Sequence, residues 1–106
     1  MKTIKILDTA YTVIERCRMD DPKLYEHDGY TDCSTKEIIL RTLEAEPDTV
    51  ANLEKYASEV LRHEIIHAYL YESGMVEYSG DETLVSWLEI MFPKMNNTFS
   101  EVGCHG

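Results

Sequence analysis

Residues 48–74 read DTVANLEKYASEVLRHEIIHAYLYESG, and this stretch decides the fold. Pro47 cannot sit inside a helix, Asp48 or Thr49 can cap a first turn, and Gly74 is a natural C-terminal stop. The spacing predicts one long helix from about residue 48 to about Ser73. Around its middle, Ile65, Ile66, Ala68, Tyr69, Leu70 and Tyr71 leave almost no polar face, so the helix is expected to be buried. A buried helix needs another layer to cover it, and the flanking sequence supplies candidates.

On the N-terminal side, residues 2–7 (KTIKIL) alternate polar and apolar, and residues 10–16 (AYTVIER) are rich in β-branched and aromatic types. With a turn at Asp8-Thr9 they predict a β-hairpin. Residues 18–29, with Asp-Asp-Pro and Asp-Gly, read as a long surface loop. A second hairpin follows, with Tyr30–Asp32 and Lys36–Arg41 as strands and a turn near Cys33–Thr35. On the C-terminal side a second helix is expected to open around Asp81 and stop at Pro93. The tail after it, polar and Gly-rich, is expected to fray. Strands first and helices after predict an α+β domain with two helices on a small antiparallel sheet. Residues 1–41 form its strand-rich part, 48–93 its helices and 94–106 the tail.

The 106 residues suit one domain with one core. A formal net charge of -10 argues against nucleic acid as a partner, since binding to phosphates is driven by Lys and Arg. Three cysteines, Cys17, Cys33 and Cys104, without CxxC spacing point to a reducing compartment. The N-terminus has no apolar h-region, and no apolar run approaches the roughly 20 residues that span a bilayer. A cytoplasmic protein without membrane contact is expected.

The chemistry concentrates in His63-Glu64-Ile65-Ile66-His67. With about 3.6 residues per turn, His63 and His67 share one face, where both imidazoles can reach one zinc ion. Glu64, rotated by about 100° from His63, falls beside the metal as a general base. Burying two imidazoles and a carboxylate without partners would cost several kcal/mol, a difficulty that a metal removes. A satisfied core histidine accounts for one His but poorly for a spaced pair with Glu. A catalytic zinc usually takes a third protein ligand. Glu77, Asp81, Glu82 and Glu89 follow; Glu82 is the first choice and Asp81 the alternative. Ser79-Gly80-Asp81-Glu82 also fits a capping box, which would occupy Glu82 structurally. Asp81 is in phase with the apolar residues Leu84, Leu88 and Phe92.

On these residues the chain resembles the small phage and mobile-element members of the ImmA/IrrE-like zinc metallopeptidases, within the zincin class. The likeness runs from GYTDCSTKEIILR through LRHEIIHAYLYESGM to DETLVSWLEIMFPKM, with HEIIH its specific part. It implies a peptidase of protein or peptide substrates, often regulators of mobile elements. It also implies that Lys36–Arg41 is the edge strand beside the cleft, to which a peptide adds as a further strand. Such folds often carry the third ligand as the Glu of an ExxxD pattern. Here that stretch is Glu82-Thr83-Leu84-Val85-Ser86, so Ser86 stands where an Asp would orient a ligand His.

Other residues read more plainly. Cys104-His105 lies in the tail, and His27 in an acidic loop reads as solvated. Cys33 fits a small packing residue, and Trp87 with Leu84, Leu88 and Met91 fits core packing. Tyr30 or Tyr69 could serve an oxyanion, though neither is assigned. The alternative to an enzyme is a catalytically weak zincin-like module that binds a phage or host regulatory protein.

Overall fold

The computed structural model describes residues 1–43 and 52–106; Asp48 and Thr49, expected to cap the long helix, lie outside them. The first hairpin joins β1 (Lys2–Ile6) to β2 (Thr9–Arg16), with Ile4 opposite Tyr11 and Ile6 opposite Thr9. Leu7 and Asp8 form its turn with φ of 49° and 70°. Two successive positive φ values give a turn whose twist matches the flanking strands, so the turn falls one residue earlier than expected.

After β2 the chain crosses over through a short 3-10 helix (Pro22–Tyr25), capped by the Asp21 carboxylate on the Lys23 N–H. The segment expected to be a surface loop therefore buries Leu24 completely. Asp21, itself 8% exposed, accepts from the Tyr30 hydroxyl and pairs with Arg16 at 3.3 Å, which ties the crossover to the sheet.

The second hairpin is β3 (Gly29–Asp32) and β4 (Glu37–Arg41), joined by a turn in which the Asp32 carboxylate accepts from the Ser34 and Thr35 N–H groups. β4 inserts beside β2 and runs parallel to it, Val13 against Ile38 and Ile14 against Ile39. The strand order is β1-β2-β4-β3. The α+β class with packed helices is as expected, but the sheet is mixed rather than wholly antiparallel. The crossover loop brings the chain back past the sheet, so β4 re-enters in the direction of β2. One expectation is overturned outright. Lys36–Arg41 is not an edge strand, because β4 is paired on both sides and the edges are β1 and β3.

α1 (Leu53–Glu72) lies on one face of this sheet, capped by the Asn52 side chain on the Lys55 N–H. It ends through Gly74 at φ 93°, with the Met75 N–H bonded to the Leu70 carbonyl at 2.8 Å. The core lies between them: Ile6, Tyr11, Ile38 and Ala68 are buried, with Ile4, Val13, Leu40, Leu61 and Ile65 packed around. Contact with β3 is close at Gly29, where a Cβ would meet the Ile39 carbonyl at 3.0 Å and Val60 Cγ1 at 3.1 Å. Tyr69 is 43% exposed, so the helix is covered on the sheet side and not all round.

A single turn, α2 (Val76–Ser79), leads to α3 (Glu82–Glu101), which packs on α1. α3 does not stop at Pro93. Proline removes only its own N–H bond, and the helix propagates past it, as the Thr98 hydroxyl bonded to the Lys94 carbonyl illustrates. The real stop is Gly103 at φ 70°, with the Cys104 N–H on the Phe99 carbonyl at 2.9 Å. Much of the expected fraying tail is therefore helix. Trp87 is 51% exposed and so is not core; Val85 is the buried residue of α3.

Candidate metal centre

His63 and His67 stand on the same face of α1, one turn apart, with ring centroids 4.9 Å from each other. The chain reverses through α2 and begins α3 above them. Glu82, the first residue of α3, reaches across both rings: Oε2 lies 2.9 Å from His63 Nε2 and Oε1 lies 2.9 Å from His67 Nε2. The three ligand atoms fall within 4.8 Å of one another. The capping-box alternative does not form. Asp81 is the N-cap, accepting from the Leu84 N–H at 3.1 Å, which leaves Glu82 free to face the histidines.

The far sides of both rings are also engaged. His63 Nδ1 lies 3.1 Å from Glu89 Oε1, and His67 Nδ1 meets the Ser79 carbonyl. A carbonyl can only accept, so His67 Nδ1 carries a proton, and the carboxylate assigns the same role to His63 Nδ1. In neutral rings both Nε2 atoms then present lone pairs toward the Glu82 oxygens. Two imidazole nitrogens and a carboxylate brought together in this way form a donor set that could hold a divalent cation. The donor set of two imidazoles and one carboxylate suits zinc, and the acceptors on Nδ1 are the outer partners that orient metal-bound histidines.

Glu64 is 6% exposed. The Thr31 hydroxyl of β3 lies 2.9 Å from its backbone carbonyl and 3.0 Å from its Oε1, which ties Glu64 to the sheet edge. Burial pushes the Glu64 carboxyl above the usual range, opposed by the His67 ring, the Thr31 hydroxyl and the His63 ring. A cleft of about 820 Å³ opens over these residues, bounded by β3, the loop before it, and the first turns of α3. The Glu82 side chain is 68% exposed against 18% and 12% for the two histidines, so the centre sits at the cleft floor with one side open.

The remaining candidates fall elsewhere. Glu77 lies on α2 and joins no group of clustered ligand atoms among the described residues. Cys104 is exposed, and His105 follows it beyond the end of α3. His27, Tyr30 and Cys33 do line the cleft, but the Tyr30 hydroxyl is committed to Asp21. Burial also pushes the Cys33 thiol up, away from the reactive thiolate. Comparisons with protein-family models, with curated proteins and with solved structures find no match. The role of Glu89 at His63 Nδ1 was not read from the sequence, although a signal was there. Glu89 stands seven residues after Glu82, two turns on along the same face of α3.

Proposed function

We propose that this chain is a zinc-dependent metallopeptidase acting on a protein or peptide, with His63, His67 and Glu82 as ligands. One observation carries the reading: both Nε2 atoms and both Glu82 oxygens converge while both Nδ1 atoms are held by acceptors, beside a buried glutamate. Zinc held there would lower the pKa of water toward about 7 and polarise a carbonyl. Glu64 takes a proton from the attacking water at its carboxylate and returns it to the leaving amine. Thr31 holds that carboxylate in place. Glu89 and the Ser79 carbonyl hold the rings. β3, rather than β4, is the edge along which an extended peptide can lie, since its outer side is unpaired among the described elements.

The reading remains that of an ImmA/IrrE-like peptidase, with Glu89 supplying the carboxylate that the family pattern puts at position 86. Three cysteines without CxxC spacing suit a reducing compartment, and a cytoplasmic location is part of this proposal. No helix among the described residues is long and apolar enough to cross a membrane.

The test combines metal content by plasma mass spectrometry with cleavage of an unfolded fluorescent protein substrate. About one zinc per chain is expected, lost in His63→Ala. Glu64→Gln is expected to keep the zinc and lose turnover by about a hundredfold or more. Zinc without turnover in the wild type would leave the binding module, and no zinc uptake would sink both readings.

A further inference from the structure

The cleft is lopsided in charge. Glu26, Asp28, Glu59, Glu64, Glu82 and Glu89 line it, and no Lys or Arg does so among the described residues. Residues 44–51, EAEPDTVA, contain no cation that could join it. Four of the six carboxylates have work already. Glu82 and Glu89 face the histidines, Glu64 lies between them and Thr31, and Asp28 is held by Arg41 at 2.7 Å and by the Tyr56 hydroxyl. Glu26 and Glu59 make no ion pair among the described residues.

Glu59 is placed to matter. It stands four residues before His63, so Glu59, His63 and His67 form one stripe along α1, with Glu59 one turn from the metal centre. Lys55 and Arg62 flank it in sequence, yet among the described residues neither lies within 4.0 Å of a carboxylate nor lines the cleft. A Lys or Arg side chain is long enough to cross one helical turn, about 5.4 Å. An acidic, partly enclosed channel also concentrates cations and raises their rate of entry.

Building on the peptidase reading, we infer that the cleft selects a polypeptide segment carrying Lys or Arg, its cationic side chain received by Glu59, one helical turn from the metal centre, and by Glu26 on the wall of the same cleft. An extended polypeptide fits better than a small polyamine, because the unpaired edge of β3 borders the same cleft and offers main-chain hydrogen bonds. Acidic segments are excluded by the same charge.

The test is fluorescence anisotropy with the metal-stripped protein, so that nothing is cleaved. The probes are labelled eight-residue peptides alternating Ala with Lys, Gln or Glu. The Lys peptide is expected to bind about tenfold tighter than the Gln peptide at low salt, with the advantage lost at high salt. The Glu26→Gln/Glu59→Gln double variant is expected to weaken Lys-peptide binding about fivefold. Glu77→Gln/Glu101→Gln removes the same charge away from the cleft and is expected to change binding less than about twofold. Equal affinity for the Lys and Gln peptides, or equal loss in both double variants, would overturn the inference. Neither metal nor turnover enters this measurement. A failed peptidase assay leaves it standing, and a working peptidase with no Lys preference removes this inference alone.

Discussion

The Glu89 carboxylate lies 3.1 Å from Nδ1 of His63, on the side of the ring opposite Glu82. That bond orients the ring and makes Nε2 the better donor to a metal. Glu89→Gln is therefore expected to weaken zinc affinity by about tenfold to a hundredfold, measured by competition with a chromophoric chelator. Ser86→Ala, one turn closer to Glu82, is expected to change it less than about twofold, because Ser86 makes no bond to either histidine.

Asp81 and Glu82 are adjacent and do different things. Asp81→Ala removes the cap on the Leu84 N–H and is expected to cost about 1 kcal/mol in urea unfolding while zinc binding persists. Glu82→Ala is expected to do the reverse, losing zinc with little change in the stability of the metal-free protein. If Asp81→Ala lost the metal instead, the ligand assignment would be wrong.

Thr31 is a positioning residue for the proposed base. Replacing it with Val keeps the shape and removes the hydroxyl that holds Glu64 at 3.0 Å. The expected result is full zinc content with kcat about tenfold lower. A purely structural role would show itself as a lower melting temperature with kcat unchanged.

At Gly29, β3 passes close to both β4 and α1. An added methyl would press on the Ile39 carbonyl, Val60 and Leu40 at 3.0 to 3.2 Å. Gly29→Ala is expected to destabilise by about 1–3 kcal/mol, read from the urea midpoint. The backbone contact cannot swing aside as a flexible side chain would.

Acid should unfold the protein through the far end of the same helix. Glu72 accepts from Tyr11 at 2.6 Å and pairs with Lys36 at 2.7 Å, and Lys36 and Tyr11 hold its carboxyl below the ordinary value of 4.5. Asp21 and Asp32 are lowered too, chiefly by the hydroxyls of Tyr30 and Ser34. In each case the unfolded chain takes up its proton first as pH falls. Their stabilisation is thus present above the ordinary carboxylate range and lost as pH falls through the folded values. Urea midpoints are expected to hold near neutrality and drop below about pH 4.5, and Glu72→Gln should flatten part of that slope.

Periodicity made part of this legible. The four-residue step from His63 to His67 puts both rings on one face of any helix, and alternation with turn residues marked four strands in order. Local signals also located the stop of α1 at Gly74, because a positive φ favours glycine whatever surrounds it. They failed where local preference competes with neighbours. Pro93 reads as a stop, yet α3 continues past it, and Trp87 fits a core spacing yet is half exposed.

What the sequence by itself determined was the α+β class and the pairing of His63, His67 and Glu64 on one helix, since both follow from repeats of a few residues. Only the tertiary structure decided that β4 lies inside the sheet and β3 at the cleft edge, and that Glu82 rather than Asp81 faces the rings. It also decided that Glu89 and the Ser79 carbonyl take the outer nitrogens. Those relationships join residues 12 to 33 positions apart, and no local preference encodes which distant groups meet once the helices pack on the sheet.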